Sequence, residues 1–471
     1  MRKLIAIFPL LLAGIMPVKY ASAQEKDGVH EMSKDYQAPK DPLVIRKLSQ
    51  WQDQRFGLFM HWGTYTLWGE VESWSICPVD WVVRKGPYSE DYNTYRSAYE
   101  HLQYDFNPVD FNPEKWEKAA KAAGMRYVIF TTKHHDGFCM FDTKETDYKI
   151  TSPNTPFSKN PRSNVTKEIF DAFRKDSFMI GAYFSKPDWH SQYFWWKYYP
   201  PKDEHVNYDI KKFPDRWQKF NDFTYNQIQE LMTGYGPIDI LWLDGGWVRP
   251  DGKQSIDMPK IVGMARNHQP GLIVVDRTVP GEFENYTTPE QSIPDKPLPY
   301  PWETCMTMGY SWSYSPRDTY KPSRQLVSLL VKIVSRGGNF LLNIGPSEKG
   351  DWHPEAYKRL EDMGKWMDIN GEGIHGSRPV APYSDKNIYF TQSKDQHSLY
   401  AYYLSDSDDV KLPAEVTFAV QDIKKISRVT LLGTKAKLQW TLKDGQLTIK
   451  IPKNIQAQSG LKYSAAFKIS A

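Results

Sequence analysis

The chain has 471 residues, 40% of them hydrophobic, which is enough for one large domain and a smaller one. Its 60 Lys and Arg against 56 Asp and Glu leave a formal charge of +4, and no basic stripe interleaves with aromatics, so nucleic acid is not an expected partner. Aromatic residues make up 14%, with 17 Trp and 29 Tyr; their flat apolar faces and polar edges suit carbohydrate, and equally suit a large core.

The N-terminus reads as an export signal. Arg2 and Lys3 precede the apolar stretch Leu4 to Met16, and Ala21-Ser22-Ala23 fits a small-residue cleavage site before Gln24. The apolar run is short for a membrane span. A soluble, exported protein is expected, periplasmic or secreted, with no membrane association after cleavage. Residues 24–45 form a polar lead-in. Cys77, Cys139 and Cys305 are too few for a disulfide scaffold, though one bridge is possible.

From residue 46 to 378 strand-like and helix-like segments alternate. Short apolar runs at Phe56 to His61, Tyr127 to Thr132, Phe178 to Phe184, Ile238 to Leu243, Leu272 to Val275 and Phe340 to Ile344 suit parallel strands buried on both faces. Between them, Asn112 caps a helix with Pro113 in its first turn and Gly124 after its end. A second helix runs from about Arg216 to Thr233. Ser323 is placed as the cap of a third. This alternation implies a (β/α)8-type barrel or a doubly wound sheet, and no GxGxxG follows the first strand. From residue 379 to 471 the period changes to that of strands. Leu438, Trp440 and Leu442 alternate, Lys443-Asp444-Gly445 turns, and Leu447, Ile449 and Ile451 alternate again, a β-hairpin within an expected C-terminal antiparallel β-sandwich.

Barrel enzymes place chemistry at the C-terminal ends of their strands. Here those ends carry His61-Trp62-Gly63, Lys133-His134-His135-Asp136, Tyr183-Phe184-Ser185, Asp244 and Asp276-Arg277. Asp244 ends a buried run and precedes Gly245-Gly246. Glu290 and Glu303 are two candidate partner acids, and paired carboxylates among aromatics are what glycosidic cleavage uses. His134 and His135 are adjacent on a strand and should point to opposite faces, so no shared metal ion is expected. There is no HExxH or GxSxG motif, and no cofactor is expected.

Phe56-Gly57-Leu58-Phe59-Met60-His61-Trp62-Gly63, Lys133-His134-His135-Asp136-Gly137-Phe138, Trp242-Leu243-Asp244-Gly245 and Trp302-Glu303-Thr304-Cys305 resemble segments of family 29 glycoside hydrolases, the retaining α-L-fucosidases. The resemblance implies a barrel with a β-sandwich tail, and fucosylated oligosaccharides or glycoconjugates as partners. It makes Asp244 the nucleophile. His61, His134, His135, Tyr183, Arg277 and Trp74 become sugar contacts. In the family a Glu directly precedes that Trp; here Ser73 intervenes, so a contact from Glu72 departs from the pattern. The acid/base is Glu290, in a loop resembling the family's mobile acid/base loop, or Glu303. A non-catalytic fucose-binding relative and an α-L-galactoside-cleaving relative are the alternatives. The aromatic stretch Trp189 to Tyr199 is a candidate contact for the leaving group. Linkage preference and oligomeric state are not encoded in any readable motif.

Overall fold

The computed structural model describes residues 35–69, 71–84, 88–252, 254–420, 426–456 and 461–470. The segment read as an export signal, residues 1–23, lies outside them. Seven parallel strands form a curled sheet: β1 (Phe56–Met60), β2 (Tyr127–Lys133), β3 (Met179–Ser185), β4 (Ile240–Asp244), β5 (Ile273–Asp276), β6 (Glu303–Thr307) and β7 (Asn339–Asn343). Their spatial order is β5-β4-β3-β2-β1-β7-β6. Neighbours in space are thus neighbours in sequence on both sides of β1, with β7 returning beside it. That is barrel order, not the reversal of a doubly wound sheet.

Between β5 and β6 the wall is completed by an irregular segment. Glu284 bridges Val275, Thr287 bridges Trp302, and Glu290 bridges Cys305. Backbone bonds from Asn285 N to Val274 O, Glu303 N to Thr287 O and Gln291 N to Cys305 O stitch both edges. Glu290, expected in a free loop, is therefore part of the barrel seam.

Among the described residues, eight α-helices surround the sheet: α1 (Pro42–Gln54), α2 (Tyr92–Glu100), α3 (Pro113–Ala122), α4 (Val165–Lys175), α5 (Pro214–Gly234), α6 (Met258–His268), α7 (Ser323–Ser335) and α8 (Pro354–Asn370). The cap at Asn112 is present, its side chain accepting from Lys115 N. The expected Ser323 cap is not: Pro322 holds that position, and the Ser323 hydroxyl donates to Asp362 instead. Helix α1 begins at Pro42, within the stretch read as lead-in. Among the described residues no helix is long and apolar enough to cross a membrane.

Strands buried on both faces still alternate, and the alternation places the chemistry. Phe59, Ile129, Tyr183, Ile240, Trp242, Ile273, Val275, Cys305 and Leu341 fill the barrel interior. Leu58, Phe130, Ala182, Leu241, Leu243 and Leu342 face the helices. Asp244 is in phase with Ile240 and Trp242, so it points inward at the top. Glu303 is in phase with Cys305, so it also points inward, but from the first residue of its strand. Nothing in its apolar content marks β6 as a strand, which is why periodicity missed it.

The C-terminal part has two sheets. One is built from β8 (Arg378–Asp385), β9 (Ile388–Gln392), β10 (Ser398–Asp409), β12 (Arg428–Leu431) and β15 (Lys462–Ser470); the other from β11 (Glu415–Ala419), β13 (Gln439–Lys443) and β14 (Gln446–Lys450). Phe390, Phe418, Leu431, Leu447, Ile449 and Phe467 pack in a shared core. The β13–β14 hairpin turns at Asp444 and Gly445, both at positive φ.

Candidate active site

The site sits where the inward row of each strand ends. Asp244 is the last residue of β4, and the chain must then turn sharply. Gly245 takes φ +87°, and a Cβ there would lie 2.3 Å from Pro187 Cδ; at Gly246 a Cβ would lie 2.0 Å from the Thr278 hydroxyl. The double glycine lets the end of β4 close against the segments after β3 and β5.

Three neighbours grip the Asp244 carboxylate. The Tyr183 hydroxyl donates to Oδ2 at 2.8 Å, Arg277 Nη1 donates to Oδ1 at 3.1 Å, and His135 Nε2 lies 3.8 Å from Oδ2. Burial pushes the carboxyl pKa up. Arg277, His135, Tyr183 and the Gly245 N–H outweigh that and hold it well below the usual carboxylate range. The group is an ionised carboxylate with only 14% of its side chain exposed.

Arg277 also donates to Thr288 through Nε and is ion-paired to Glu290 through Nη2. One guanidinium thus carries both carboxylates. It is itself held by the chain before it, because Asp276 forms a buried 2.5 Å pair with Lys186, whose ammonium also donates to Val248 O.

The three histidines line the opposite wall. His61 Nδ1 meets Asn343 Oδ1 at 2.8 Å, His134 Nδ1 meets Ser73 Oγ at 2.5 Å, and His135 Nδ1 meets Ser185 Oγ at 2.8 Å. Each ring therefore has its Nδ1 committed to the protein, and His135 turns its Nε2 toward Asp244. Burial pushes the pKa of His61 and His135 down to about 4, and that of His134 well below its usual value. Neutral imidazoles can both donate to and accept from hydroxyls.

The expectation that His134 and His135 diverge is corrected here. They lie beyond the end of β2, in a turn closed by Gly137 N to His134 O, and their ring centroids are 4.2 Å apart. Strand alternation does not apply past the strand. Together with Asp244 they place ligand atoms within 4.8 Å of one another, so the trio could also approach a cation.

The inserted Ser73 is wired into the site: it holds His134 and accepts from Asp136 N. Glu72 is 5% exposed, and burial pushes its carboxyl up to about 7, helped by the charges of Glu290 and Asp244. It is in electrostatic reach of the same pocket.

Glu303 lies lower. Its carboxyl accepts from the Tyr127 hydroxyl at 2.6 Å, the Tyr286 hydroxyl at 3.2 Å and Trp242 Nε1 at 3.3 Å. It is wholly buried, and burial raises its pKa to about 7 despite those donors. Trp242 stacks on Tyr183 at 5.3 Å and lies under the Arg277 guanidinium. The Trp242 ring therefore roofs Glu303, which sits in the barrel floor and not at its mouth.

Trp74 is half-buried and meets His135 edge-on at 5.5 Å, with Trp189 and Trp247 packed beside it. Phe59, Trp242 and Trp312 make an apolar wall next to His61. Sequence reasoning missed Asn343 and Trp312. Asn343 was findable, being a polar residue at a strand end like the others; Trp312 sits in a stretch with no periodic signal. Of the aromatic stretch Trp189 to Tyr199, Trp189, Phe194 and Trp195 are core, while Tyr198 and Tyr199 are exposed around Trp196. All three cysteines are buried and free.

Two family models match the chain: alpha-L-fucosidase over residues 23–372 and alpha-L-fucosidase C-terminal domain over residues 382–470. The chain is 30% identical over 428 residues to the tissue alpha-L-fucosidase of Bos taurus, covering 85% of this chain and 83% of that one. Among solved structures, alpha-L-fucosidase isoenzyme 1 from Paenibacillus thiaminolyticus matches with a TM-score of 0.73 and 29% identity, over 91% of this chain and 99% of that one. A family 29 alpha-L-fucosidase from Bacteroides thetaiotaomicron, trapped as a covalent intermediate with 2-fluoro-fucosyl fluoride, shares the fold at a TM-score of 0.71 and 22% identity, over 94% of this chain and 99% of that one.

Proposed function

The chain belongs to the α-L-fucosidase family, and from that premise we propose an exported, retaining exo-enzyme that releases terminal α-L-fucose from fucosylated glycans, with Asp244 as nucleophile and Glu290 as acid/base. The observation that carries this reading is the ionised, buried Asp244 held by Tyr183, Arg277 and His135. A carboxylate kept charged in a dry pocket is a ready nucleophile.

In the first step an Asp244 oxygen attacks C1 of fucose, and the glycosidic oxygen departs with a proton from Glu290. In the second, Glu290 takes a proton from water, whose oxygen attacks C1, and Asp244 leaves as the carboxylate. Retention asks for carboxyls about 5–5.5 Å apart, and binding to two nitrogens of one guanidinium keeps the pair close. Glu290 must exchange its Arg277 contact for the leaving oxygen when substrate binds. His61, His134 and His135 hold sugar hydroxyls through Nε2, and Trp74 supplies a contact face.

Glu72 as the acid is a second reading, favoured by a buried carboxyl beside Ser73 that feels the charges of Glu290 and Asp244 and whose pKa burial pushes up to about 7. Glu303 is read as the residue that orients Trp242 from below. The apolar wall of Phe59, Trp242 and Trp312 suits the 6-methyl of fucose better than the 6-hydroxyl of an α-L-galactosyl group. Export rests on Arg2, Lys3, the apolar run and Ala21-Ser22-Ala23.

Hydrolysis of 4-nitrophenyl α-L-fucoside and of the matching α-L-galactoside tests the reading. The fucoside should be favoured by about tenfold or more in kcat/KM, the scale on which a pocket rejects one added group. Equal rates would reassign the sugar, and fucose binding without turnover would make the protein a lectin.

A further inference from the structure

Trp81 is an exposed tryptophan, with 37% of the residue open to solvent. Single exposed aromatics are ordinary on protein surfaces; this one is joined to the active site. Its ring packs on Trp74 with centroids 5.1 Å apart. Trp74 meets His135, and His135 Nε2 is 3.8 Å from the Asp244 carboxylate. A file of rings therefore runs from the reacting carboxylate outward and ends at Trp81 in solvent.

The segment that carries Trp81 is pinned. Arg84 donates from Nε to Ser75 O at 2.8 Å and from Nη2 to Cys77 O at 2.6 Å, and it lies over the Tyr92 ring. Tyr92 in turn donates to Ile76 O, and Val82 next to Trp81 is buried. An exposed ring on a fixed support binds with little further ordering. The same rim carries Glu204, whose backbone oxygen accepts from the indoles of both Trp189 and Trp247, the two rings behind Trp74. Beside it stand Asp203 and His205, half-exposed groups that can pair with hydroxyls.

We propose that Trp81 is the stacking platform for the leaving-group sugar, the pyranose to which fucose is attached, so that this residue sets the preference for glycan over small leaving groups. The proposal rests on the fucosidase reading of the pocket. Fucose buries in the pocket at Asp244, and the next sugar must lie outward of it. An indole face offers that pyranose apolar contact while its hydroxyls stay wet.

The test compares two substrates in each protein: α-L-fucosyl fluoride, which has no leaving-group ring, and a reducing disaccharide with terminal α-L-fucose. The readout is the ratio of their kcat/KM values. Trp81→Ser should lower the disaccharide-to-fluoride ratio by about tenfold, the worth of one stacked ring. Trp81→Phe should recover most of it. Tyr198→Ser is the rival, since Tyr198 is exposed on the aromatic stretch and packs on Trp196. A ratio that is the same in Trp81→Ser as in wild type, or that falls in Tyr198→Ser instead, overturns the platform. An equal loss on both substrates also overturns it and makes Trp81 a buttress for Trp74. Wild-type protein that cannot use the fluoride at all removes the fucosidase reading beneath it.

Discussion

The Tyr183 hydroxyl donates a 2.8 Å hydrogen bond to Oδ2 of Asp244. Both side chains point into the barrel from adjacent strands, paired through Tyr183 with Trp242 and Ser185 with Asp244. The tyrosine also meets the Ser185 hydroxyl, which holds His135. One phenol therefore connects the nucleophile to the wall that binds the sugar. Tyr183→Phe removes a donor to the charged form of Asp244. The carboxyl pKa, now held low, must rise, so the acid limb of the kcat/KM profile should move to higher pH. A hydrogen bond to a charged group is worth about 1.5–3 kcal/mol, so kcat/KM should fall by about tenfold or more. An unmoved acid limb would mean that Arg277 alone sets the charge.

The three candidate acids differ in place, and azide separates them. Glu290→Ala should lose hydrolysis of substrates with poor leaving groups, while on 4-nitrophenyl α-L-fucoside, whose leaving group departs without a proton, azide should raise turnover and give α-fucosyl azide, because the anion attacks the fucosyl-enzyme without a general base and fits the space of the lost carboxyl. Glu303→Ala should show no azide product, since Tyr127, Tyr286 and Trp242 enclose that position. Rescue of Glu72→Ala and not of Glu290→Ala would move the acid to Glu72.

Glu303 carries a stability signature of its own. Its pKa is raised by burial to about 7 from the ordinary 4.5. A carboxyl raised in the folded state contributes stability that is complete below pH 4.5 and lost as pH rises through about 7. That shift corresponds to roughly 3 kcal/mol. Glu303→Gln cannot ionise, so its stability relative to wild type should improve by that order between pH 4.5 and 8, read by urea unfolding at both. A pH-independent difference would show that Glu303 is not held as a buried acid.

The pair Lys186–Asp276 fixes the residue before Arg277 and the segment after β3, both fully or nearly buried. Lys186→Met leaves a buried carboxylate unpaired and should cost about 3–5 kcal/mol, while Lys186→Met with Asp276→Leu should recover most of that. A single variant within about 1 kcal/mol of wild type would show that the pair does not anchor Arg277.

Much of the site was legible because barrel chemistry falls at strand ends. His61, His135, Tyr183, Asp244 and Arg277 each terminate an apolar run or lie just past one. The N-cap at Asn112 and the Asp444-Gly445 hairpin were legible because their local rules are strict. What failed did so where tertiary context decides. Strand β6 is Glu-Thr-Cys-Met-Thr and is recognisable only by its neighbours. Glu290 looks like a loop acid until Glu284, Thr287 and Glu290 are seen bridging β5 and β6. The convergence of His134 and His135 depends on where β2 stops, one residue before them.

The most direct measurement is a mass map of Glu290→Gln protein treated with 2-fluoro-fucosyl fluoride, a substrate whose intermediate forms faster than it breaks down. One 2-fluoro-fucosyl group should be found on the peptide containing residues 240–247, attached to Asp244. An adduct on any other side chain, or turnover that releases 2-fluoro-fucose of inverted configuration with no adduct, would contradict Asp244 as the nucleophile.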